Sequence, residues 1–423
     1  MHIGVIGSGY LATVTSACLA DFGTPVTCCD TSAEKIFGLA EGKLGFYEKN
    51  LSDVIRRNTR SGRLTYGTDL EATVRKAEVI YFAQDSCQDM EETATRVAEL
   101  ADPGAILVIL TPAPVGTTAR IEARVRKAGG NGMTVVNQPV FLTHGCAVED
   151  FNWPDRIVLG TRSPQSVLVL KQVYRPLVMR GVPVIVTSYE TAEMVREASS
   201  AFLATKIAFI NELSGLCEKV QADAMDVALA LGLDKKIGPR CLQPGTAIGG
   251  SFAHSEIESL AALAQENKIS LRILSAAREV NRANCDSVLS KILRAVHSVD
   301  GKEIGILGLA FKPNTSSVAG SGSIAVARML ATNGAHVRAY DPVALPEARE
   351  ELDAMVRFCE NPYAVAEGAD MLVVGTGWPE FRSLDFDRIK RHLRQPIIVD
   401  TKNLLDSQRM RAMGFQYVGV GRA

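Results

Sequence analysis

Closely spaced glycines follow an apolar run at the very start of the chain. Ile3–Ile6 has the character of a buried parallel strand. Gly7, Gly9 and Ala12 then take the GxGxxG/A spacing at the start of a helical pattern. The first glycine permits a tight turn, the second lets a pyrophosphate approach the backbone, and the helix N-terminus offers N–H groups to that anion. The pattern therefore predicts a strand–turn–helix unit that binds a dinucleotide.

An acidic residue lies where such a unit needs one. The second predicted strand, residues 25–29, ends at Asp30, about 20 residues beyond the glycines. A carboxylate there can accept hydrogen bonds from both ribose hydroxyls and would repel a 2′-phosphate, so we expect NAD rather than NADP as the cofactor. The residues that we expect to bind the cofactor are Gly7, Gly9, Tyr10, Leu11, Asp30, Lys35 and Ser86.

Short apolar runs alternate with helical patterns through the first half of the chain, which predicts a doubly wound α/β domain. The further runs that resemble strands are residues 79–82, 106–110, 134–136, 157–159 and 182–186. An amphipathic pattern of about 30 residues then runs from about Thr191 to Val220, and a second long one from about Ser270 to Val296. A helix of that length usually links domains or forms the core of a dimer.

The alternation of strands and helices restarts at Glu303 and predicts a weaker second α/β half. A strand and turn are expected at residues 303–310, and further strands at residues 337–341, 371–375 and 396–400. The expected domains are therefore residues 1–187, 188–298 and 299–423.

The charge balance and the scarcity of metal ligands exclude several classes of function. Net charge is −1, with 46 basic and 47 acidic residues, so we expect neither a nucleic acid nor a membrane as a partner. The first strand begins directly after Met1, so we expect no signal peptide and a cytoplasmic location. Nine cysteines show no zinc spacing and six histidines are scattered, which predicts free thiols and no metal site.

Ordered segments along the whole chain resemble one enzyme family. They are residues 46–48 with Leu51, 114–118, 141–156, 201–212, 236–240, 308–315 and 414–422. Together with the glycine pattern they are similar to the UDP-glucose/GDP-mannose dehydrogenase family, and to its UDP-glucose 6-dehydrogenase branch. The resemblance implies an α/β fold with two Rossmann-like doubly wound domains joined by a central helical dimerisation segment. It also implies a homodimer whose C-terminal domain helps to bind a nucleotide-sugar.

The resemblance implies a reaction as well. The family oxidises a sugar C6 alcohol to a carboxylate with two NAD, and a catalytic Cys holds the intermediate as a thioester. The residues that the resemblance assigns to the substrate are Phe141, Leu142, Ser200, Arg240, Leu242, Gly245, Gly249 and Lys312.

The catalytic positions of the family are replaced here as a group. Phe252 stands where the family has its Cys, and a phenyl ring is not a nucleophile. Arg196 replaces a Lys on the central helix, and Glu256 and His144 replace other site residues. The remaining replacements that the resemblance identifies are Pro112, Val140, Ser200 and Ser255. Glu256 or His144 could serve as the base and Arg196 could stabilise the oxyanion.

Three functions remain open on the sequence alone. The first is an NAD-dependent oxidoreductase whose product is an aldehyde or a ketone. The second is an ordinary family dehydrogenase that uses another thiol, Cys146 or Cys241. The third is a catalytically inactive protein that binds the nucleotide or NAD.

Overall fold

A computed structural model describes residues 1–84, 86–130, 132–246 and 249–422, and for residues 251–254 it describes the backbone but not the side chains. The chain divides into two compact units, Met1–Ser199 and Ser200–Ala423. The boundary falls within one long helix. The three-domain division expected from the sequence remains a prediction.

The first unit is built on an eight-stranded sheet of order β3-β2-β1-β4-β5-β6-β7-β8. Its neighbouring strands are parallel except β6 and β7, which pair antiparallel where Asn137 faces Gly160. The apolar runs form the buried strands, as in Ile3–Ile6. The strands are β1 Ile3–Ile6, β2 Val26–Cys29, β3 Leu64–Gly67, β4 Val79–Phe82, β5 Ile106–Ile109, β6 Thr134–Asn137, β7 Ile157–Gly160 and β8 Val184–Thr187.

Nine helices connect the described strands of this unit. The first is nearly all buried because small and apolar residues such as Ala12, Val14 and Ala17 follow the glycines. The helices are α1 Tyr10–Asp21, α2 Ala33–Ala40, α3 Leu51–Arg60, α4 Leu70–Lys76, α5 Met90–Leu100, α6 Thr117–Lys127, α7 Ala147–Asn152, α8 Pro164–Val173 and α9 Arg175–Met179.

The long helical pattern forms a single helix of 31 residues, α10 Tyr189–Lys219, about 46 Å in length. The second long pattern forms α13 Arg272–Val296. Two helices that the sequence did not indicate lie between them, α11 Ala224–Leu233 and α12 Ser251–Glu266. The second follows the segment of residues 238–250, which is rich in Gly and Pro and concealed its starting point.

A six-stranded parallel sheet of order β11-β10-β9-β12-β13-β14 forms the core of the second unit. Its strands are β9 Glu303–Leu307, β10 His336–Tyr340, β11 Val356–Phe358, β12 Met371–Val374, β13 Ile397–Asp400 and β14 Gln416–Gly419. The helices around it are α14 Gly322–Thr332, α15 Leu345–Leu352, α16 Phe386–His392 and α17 Ser407–Ala412, with 3₁₀ turns at Asp353–Met355 and Pro379–Ser383. Two doubly wound sheets confirm the expected fold class. Within the described residues, no helix is long and apolar enough to cross a membrane.

Candidate functional site

The carboxyl ends of β1, β2 and β4 lie side by side at one edge of the sheet of the first unit, where a doubly wound sheet forms its ligand crevice. The strand order reverses between β1 and β4, and such a switch point is where doubly wound sheets bind their ligands. Gly7 ends β1 with φ 122°, and a Cβ there would lie 2.6 Å from the carbonyl oxygen of Ala83. Only glycine fits this turn, as the glycine spacing predicted.

The N-terminus of α1 is open to an anion. Gly9 occupies the N-cap position, and no side chain caps the first turn. Tyr10 and Leu11 are buried in the protein, so any contact that they make with a cofactor would be through their backbone N–H groups. The geometry of the first turn suits a pyrophosphate, and contact of Gly9, Tyr10 and Leu11 with the cofactor stays a prediction.

Asp30 lies just beyond β2 and is partly buried. Its carboxylate accepts hydrogen bonds from the Ser8 hydroxyl at 2.7 Å and from the Ser32 backbone N–H at 2.9 Å. An ionised carboxylate has about four acceptor positions, so it can also accept the two ribose hydroxyls. Lys35, in the first turn of α2, and Ser86, after β4, are both exposed. This part of the chain fits NAD.

The loop after β5 is fixed by a residue that the sequence reading missed. The buried carboxylate of Glu193 accepts from the Gly116 N–H at 2.6 Å, the Thr118 N–H at 2.8 Å and the Thr118 hydroxyl at 2.6 Å. It thereby caps the N-terminus of α6 from α10. Only the three-dimensional structure brings Glu193 to this loop.

The predicted substrate residues of the first unit follow β6. The guanidinium of Arg156 lies 3.9 Å from the centre of the Phe141 ring. Leu142 is partly buried, and the ring of His144 stacks on that of Tyr10 with 4.0 Å between the ring centres. His144 therefore lies beside the first residue of α1.

The glycine-rich segment of the second unit is held by amide side chains. The Gly245 N–H donates to Asn211 Oδ1 at 2.9 Å, and the Asn284 side chain donates to the carbonyls of Gly245 and Thr246. The ammonium of Lys402 donates to the Thr246 hydroxyl at 2.8 Å. No pattern in the sequence indicates Asn284 or Lys402.

Other predicted substrate residues lie on the same unit. Leu242 is buried against Ile210 and Ala228, which indicates a packing role for its side chain. Gly249 is closely packed, because a Cβ there would lie 2.7 Å from Phe311 Cβ. Arg240 is exposed, and Lys312 lies in the turn after β9 with part of its side chain exposed.

Two of the predicted site residues form a hydrogen bond with each other. The Ser200 hydroxyl on α10 donates to the Glu256 carboxylate on α12, and Glu256 is 4% exposed. Arg196 lies one helical turn before Ser200. The backbone of Phe252 lies in the first turn of α12, and its side chain is outside the described residues.

The thiols considered as substitutes lie in different surroundings. Cys146 is partly exposed at the start of α7. Burial raises the pKa of the Cys241 thiol, although the nearby cations Lys206 and Arg240 partly oppose the shift. A raised pKa leaves less of the nucleophilic thiolate at neutral pH. Among the described residues, no cluster of three or more His, Cys, Asp or Glu is placed to hold a metal ion.

The second α/β half also has an acidic residue after β10, but its carboxylate already accepts hydrogen bonds from several protein N–H groups. Asp341 is 1% exposed. Its donors are the backbone N–H groups of Leu309, Ala310, Val343 and Ala344 and the indole N–H of Trp378, at 2.8–3.1 Å. Its carboxylate therefore stabilises the turn after β9 rather than a ribose, and the dinucleotide site belongs to the first half.

A dinucleotide crevice with an acidic ribose acceptor, in a chain with two doubly wound sheets, defines an NAD-dependent dehydrogenase. The chain belongs to the UDP-glucose/GDP-mannose dehydrogenase family. The family's NAD binding domain matches residues 1–178, its central domain residues 190–283, and its UDP binding domain residues 305–407. The predicted family, enzyme class and cofactor are confirmed, and the UDP binding domain agrees with the prediction of a nucleotide-sugar substrate.

Relatives resemble the chain over its whole length. The UDP-glucose 6-dehydrogenase TuaD of Bacillus subtilis is 35% identical over 99% of this chain and 93% of its own. The UDP-glucose 6-dehydrogenase of Rhizobium meliloti is 36% identical over 100% of both chains. The solved structure of a UDP-glucose dehydrogenase from Pyrobaculum islandicum aligns with a TM-score of 0.90 at 30% identity, covering 100% of this chain and 98% of that one.

Proposed function

We propose that this protein oxidises an alcohol of a nucleotide-sugar, with NAD as the hydride acceptor, and releases an aldehyde or a ketone rather than an acid. The observation that supports it most is a cofactor crevice that fits NAD in a chain whose expected thiol position is Phe252. The UDP-glucose 6-dehydrogenases among the relatives make a UDP-sugar the first substrate to test.

Each residue of the proposed site would have a separate role in the reaction. The first turn of α1 and Asp30 hold the pyrophosphate and the ribose. NAD, when bound, would supply the acceptor for the hydride of the carbon that bears the alcohol, and a protein base would take the hydroxyl proton. Glu256 is the preferred base, because its carboxylate is the acceptor of the Ser200 hydroxyl. His144 is less suited, because its ring stacks on Tyr10.

Arg196 and Lys312 are proposed to take two further roles. The guanidinium of Arg196 is a permanent cation that can stabilise the developing oxyanion. Lys312 follows β9 in the domain that matches the family's UDP binding domain, where its ammonium can bind a phosphate. Without a thiolate no thiohemiacetal forms, so the carbonyl product is released after a single oxidation.

The test is turnover of NAD by the purified full-length chain with a panel of nucleotide-sugars, followed by NADH absorbance and product mass. We expect NADH formation and a product lighter than its substrate by two hydrogen atoms. A carboxylate product would overturn the single-oxidation proposal. Thermal stabilisation by NAD without any turnover would instead indicate an inactive binding protein.

If a carboxylate does form, Cys146→Ser and Cys241→Ser variants identify the thiol. Loss of acid formation in one variant assigns the nucleophile to that residue. Unchanged acid formation in both excludes these two thiols.

We also propose that the protein is a homodimer formed through α10. Apolar side chains recur along one face of its second half at Phe202, Phe209, Leu216 and Val220, and each is more than half exposed. The first three are seven residues apart, which is the repeat of helices that pack against each other. A second copy of the same face matches this stripe, so the occupant is another copy of the chain.

A further inference from the structure

Three separate segments of the first unit meet at one buried carboxylate. Glu48 is 4% exposed. It accepts a hydrogen bond from the Tyr10 hydroxyl at 2.8 Å, from the Gly145 backbone N–H at 2.6 Å and from the Ala147 backbone N–H at 2.9 Å. The carboxylate therefore joins the start of α1 to the residues that follow β6.

Aromatic contacts join the same segments independently. The Tyr10 ring makes an edge contact with Phe46, with 5.0 Å between the ring centres, and a stacked contact with His144 at 4.0 Å. The Tyr10 side chain is thus held by the segment that carries Glu48 and by the segment that carries Gly145.

The hydrogen bond between Tyr10 and Glu48 stays intact at neutral pH. Burial raises the pKa of the Tyr10 phenol well above its ordinary value, and the charge of Glu48 raises it further. The phenol therefore remains a hydrogen-bond donor to the carboxylate. A carboxylate that accepts from neutral donors is stabilised in its charged form.

The joined segments belong to two different parts of the proposed site. Tyr10 is the first residue of α1, whose N-terminus forms the pyrophosphate end of the cofactor crevice. Residues 141–147, here called the substrate loop, contain Phe141, Leu142 and His144. The Thr143 N–H also donates to Asp150 at 2.7 Å, which closes the loop on the helix that follows it.

We propose that Glu48 is a positioning residue that couples cofactor binding to the order of the substrate loop. A pyrophosphate on the first turn of α1 fixes Tyr10, Tyr10 fixes the Glu48 carboxylate, and the carboxylate fixes the N–H groups of Gly145 and Ala147. NADH then strengthens the binding of the nucleotide-sugar, and the reverse holds to the same degree. The ligand part of this inference rests on the proposed function.

Two variants distinguish the hydrogen bonds of Glu48 to the substrate loop from its hydrogen bond to Tyr10. Glu48→Gln replaces the charged acceptor by an amide, which weakens its bonds to both loop N–H groups and to Tyr10. Tyr10→Phe removes only the hydroxyl and leaves the two loop bonds in place. Glu41→Gln is the matched control, because Glu41 is an exposed carboxylate close by in the sequence.

The first measurement is hydrogen exchange of residues 143–150, which requires no ligand. We expect exchange at Gly145 and Ala147 to be faster by roughly tenfold or more in Glu48→Gln, and unchanged in Glu41→Gln. Equal protection in wild type and Glu48→Gln would overturn the proposal even if the protein proved to have another substrate.

The second measurement is calorimetric binding of UDP-glucose with and without saturating NADH. In Glu48→Gln we expect UDP-glucose to bind roughly tenfold more weakly and NADH affinity to change less than about twofold. In Tyr10→Phe we expect UDP-glucose affinity to be nearly retained but to lose its dependence on NADH.

The outcomes distinguish the two proposals. Unchanged coupling in Tyr10→Phe would overturn the positioning role of Glu48. If wild type itself binds no UDP-glucose, this nucleotide-sugar is not the substrate, and hydrogen exchange with NADH alone decides the coupling. NADH should then slow exchange at Gly145 in wild type but not in Tyr10→Phe, and equal slowing in both would overturn it.

Discussion

A phenyl ring at position 252 has no lone pair to offer an aldehyde carbon, yet the residue does not differ from the family alone. The resemblance also places Arg196, Ser200, Ser255 and Glu256 at positions where the family has other site residues. In this structure Ser200 and Glu256 bond to each other, so these two replacements form a matched pair. Two replacements that hydrogen-bond to each other support the proposal of a rebuilt site, which stays a prediction.

We therefore expect Phe252→Cys alone to leave the product at the aldehyde or ketone level. A new thiol would lack the groups that orient and deprotonate it. The measurement is product mass after incubation with NAD and the best nucleotide-sugar, with the wild-type chain as reference. Acid formation in this single variant would mean that Phe252 is a local change in an otherwise intact active site.

The burial of Lys402 makes the stability of the protein depend on pH. Burial lowers the pKa of its amine to about 8 from the ordinary 10.5, and the nearby Cys285 and Asp400 oppose this only partly. From about pH 8 to 10.5 the unfolded chain holds this proton more strongly than the folded one, so stability rises with pH in that window. Below about pH 8 the cost of burying the charged amine is fully present.

We expect Lys402→Met to remove this dependence. Relative to wild type, the free energy of unfolding of the variant should fall by about 1–3 kcal/mol between pH 7.5 and 10.5, because wild type alone gains stability there. Urea unfolding at several pH values measures it. Lys235→Met changes an exposed lysine, so its free energy of unfolding should depend on pH as that of wild type does. The same pH dependence in Lys402→Met as in wild type would contradict the lowered pKa of Lys402.

At the scale of elements, the carboxylate of Glu193 joins α10 to the N-terminus of α6. A helix N-terminus leaves several N–H groups without partners, and Glu193 supplies the acceptor for two of them from a distant part of the sequence. It also accepts from the Thr118 hydroxyl, which in turn accepts from Asn137. The loop after β5 is therefore fixed in part by contacts from a distant part of the sequence.

We expect Glu193→Ala to lower the free energy of unfolding by about 2–4 kcal/mol, because it leaves buried donors without an acceptor. Chemical denaturation measures the change. Glu190→Ala is the matched control, since Glu190 lies on the same helix but is exposed, and it should change stability by less than about 0.5 kcal/mol. Equal effects of the two substitutions would contradict a capping role for Glu193.

Most elements could be predicted from local pattern, and those that were missed share a physical cause. The buried strands and the two long helices have runs of apolar residues at a clear period. By contrast, β3, β11 and β14 are edge strands with only one or two buried residues each, and they become strands because they pair with β2, β10 and β13. They therefore lack the continuous apolar run by which the interior strands are recognised.

At the scale of the whole molecule, the two sheets have similar architecture but different chemistry. The Asp30 carboxylate keeps acceptor positions for a ligand, whereas the Asp341 carboxylate already accepts hydrogen bonds from protein N–H groups. This difference explains why one half is a dinucleotide site and the other is not, although both halves end their second strand in an acid.

The apolar stripe on α10 makes a prediction about assembly. We expect Phe209→Glu to convert the dimer into a monomer, because a charge would be buried at the centre of the stripe. Sedimentation velocity measures the state, and Arg391→Glu, on the exposed side of α16, should remain dimeric. A monomeric wild type, or a dimeric Phe209→Glu, would contradict dimerisation through this face.

The sequence by itself determined the class of fold and the choice of NAD, because the residues that indicate them lie close together in the chain. Gly7, Gly9 and Asp30 lie within one strand–helix–strand unit. The tertiary structure alone decided how the site is supported. Glu48 and Gly145 are 97 positions apart in the sequence, and Glu193 and Gly116 are 77 apart. A buried carboxylate is stable only where the fold brings donors to it, and local spacing does not specify which distant N–H groups those will be.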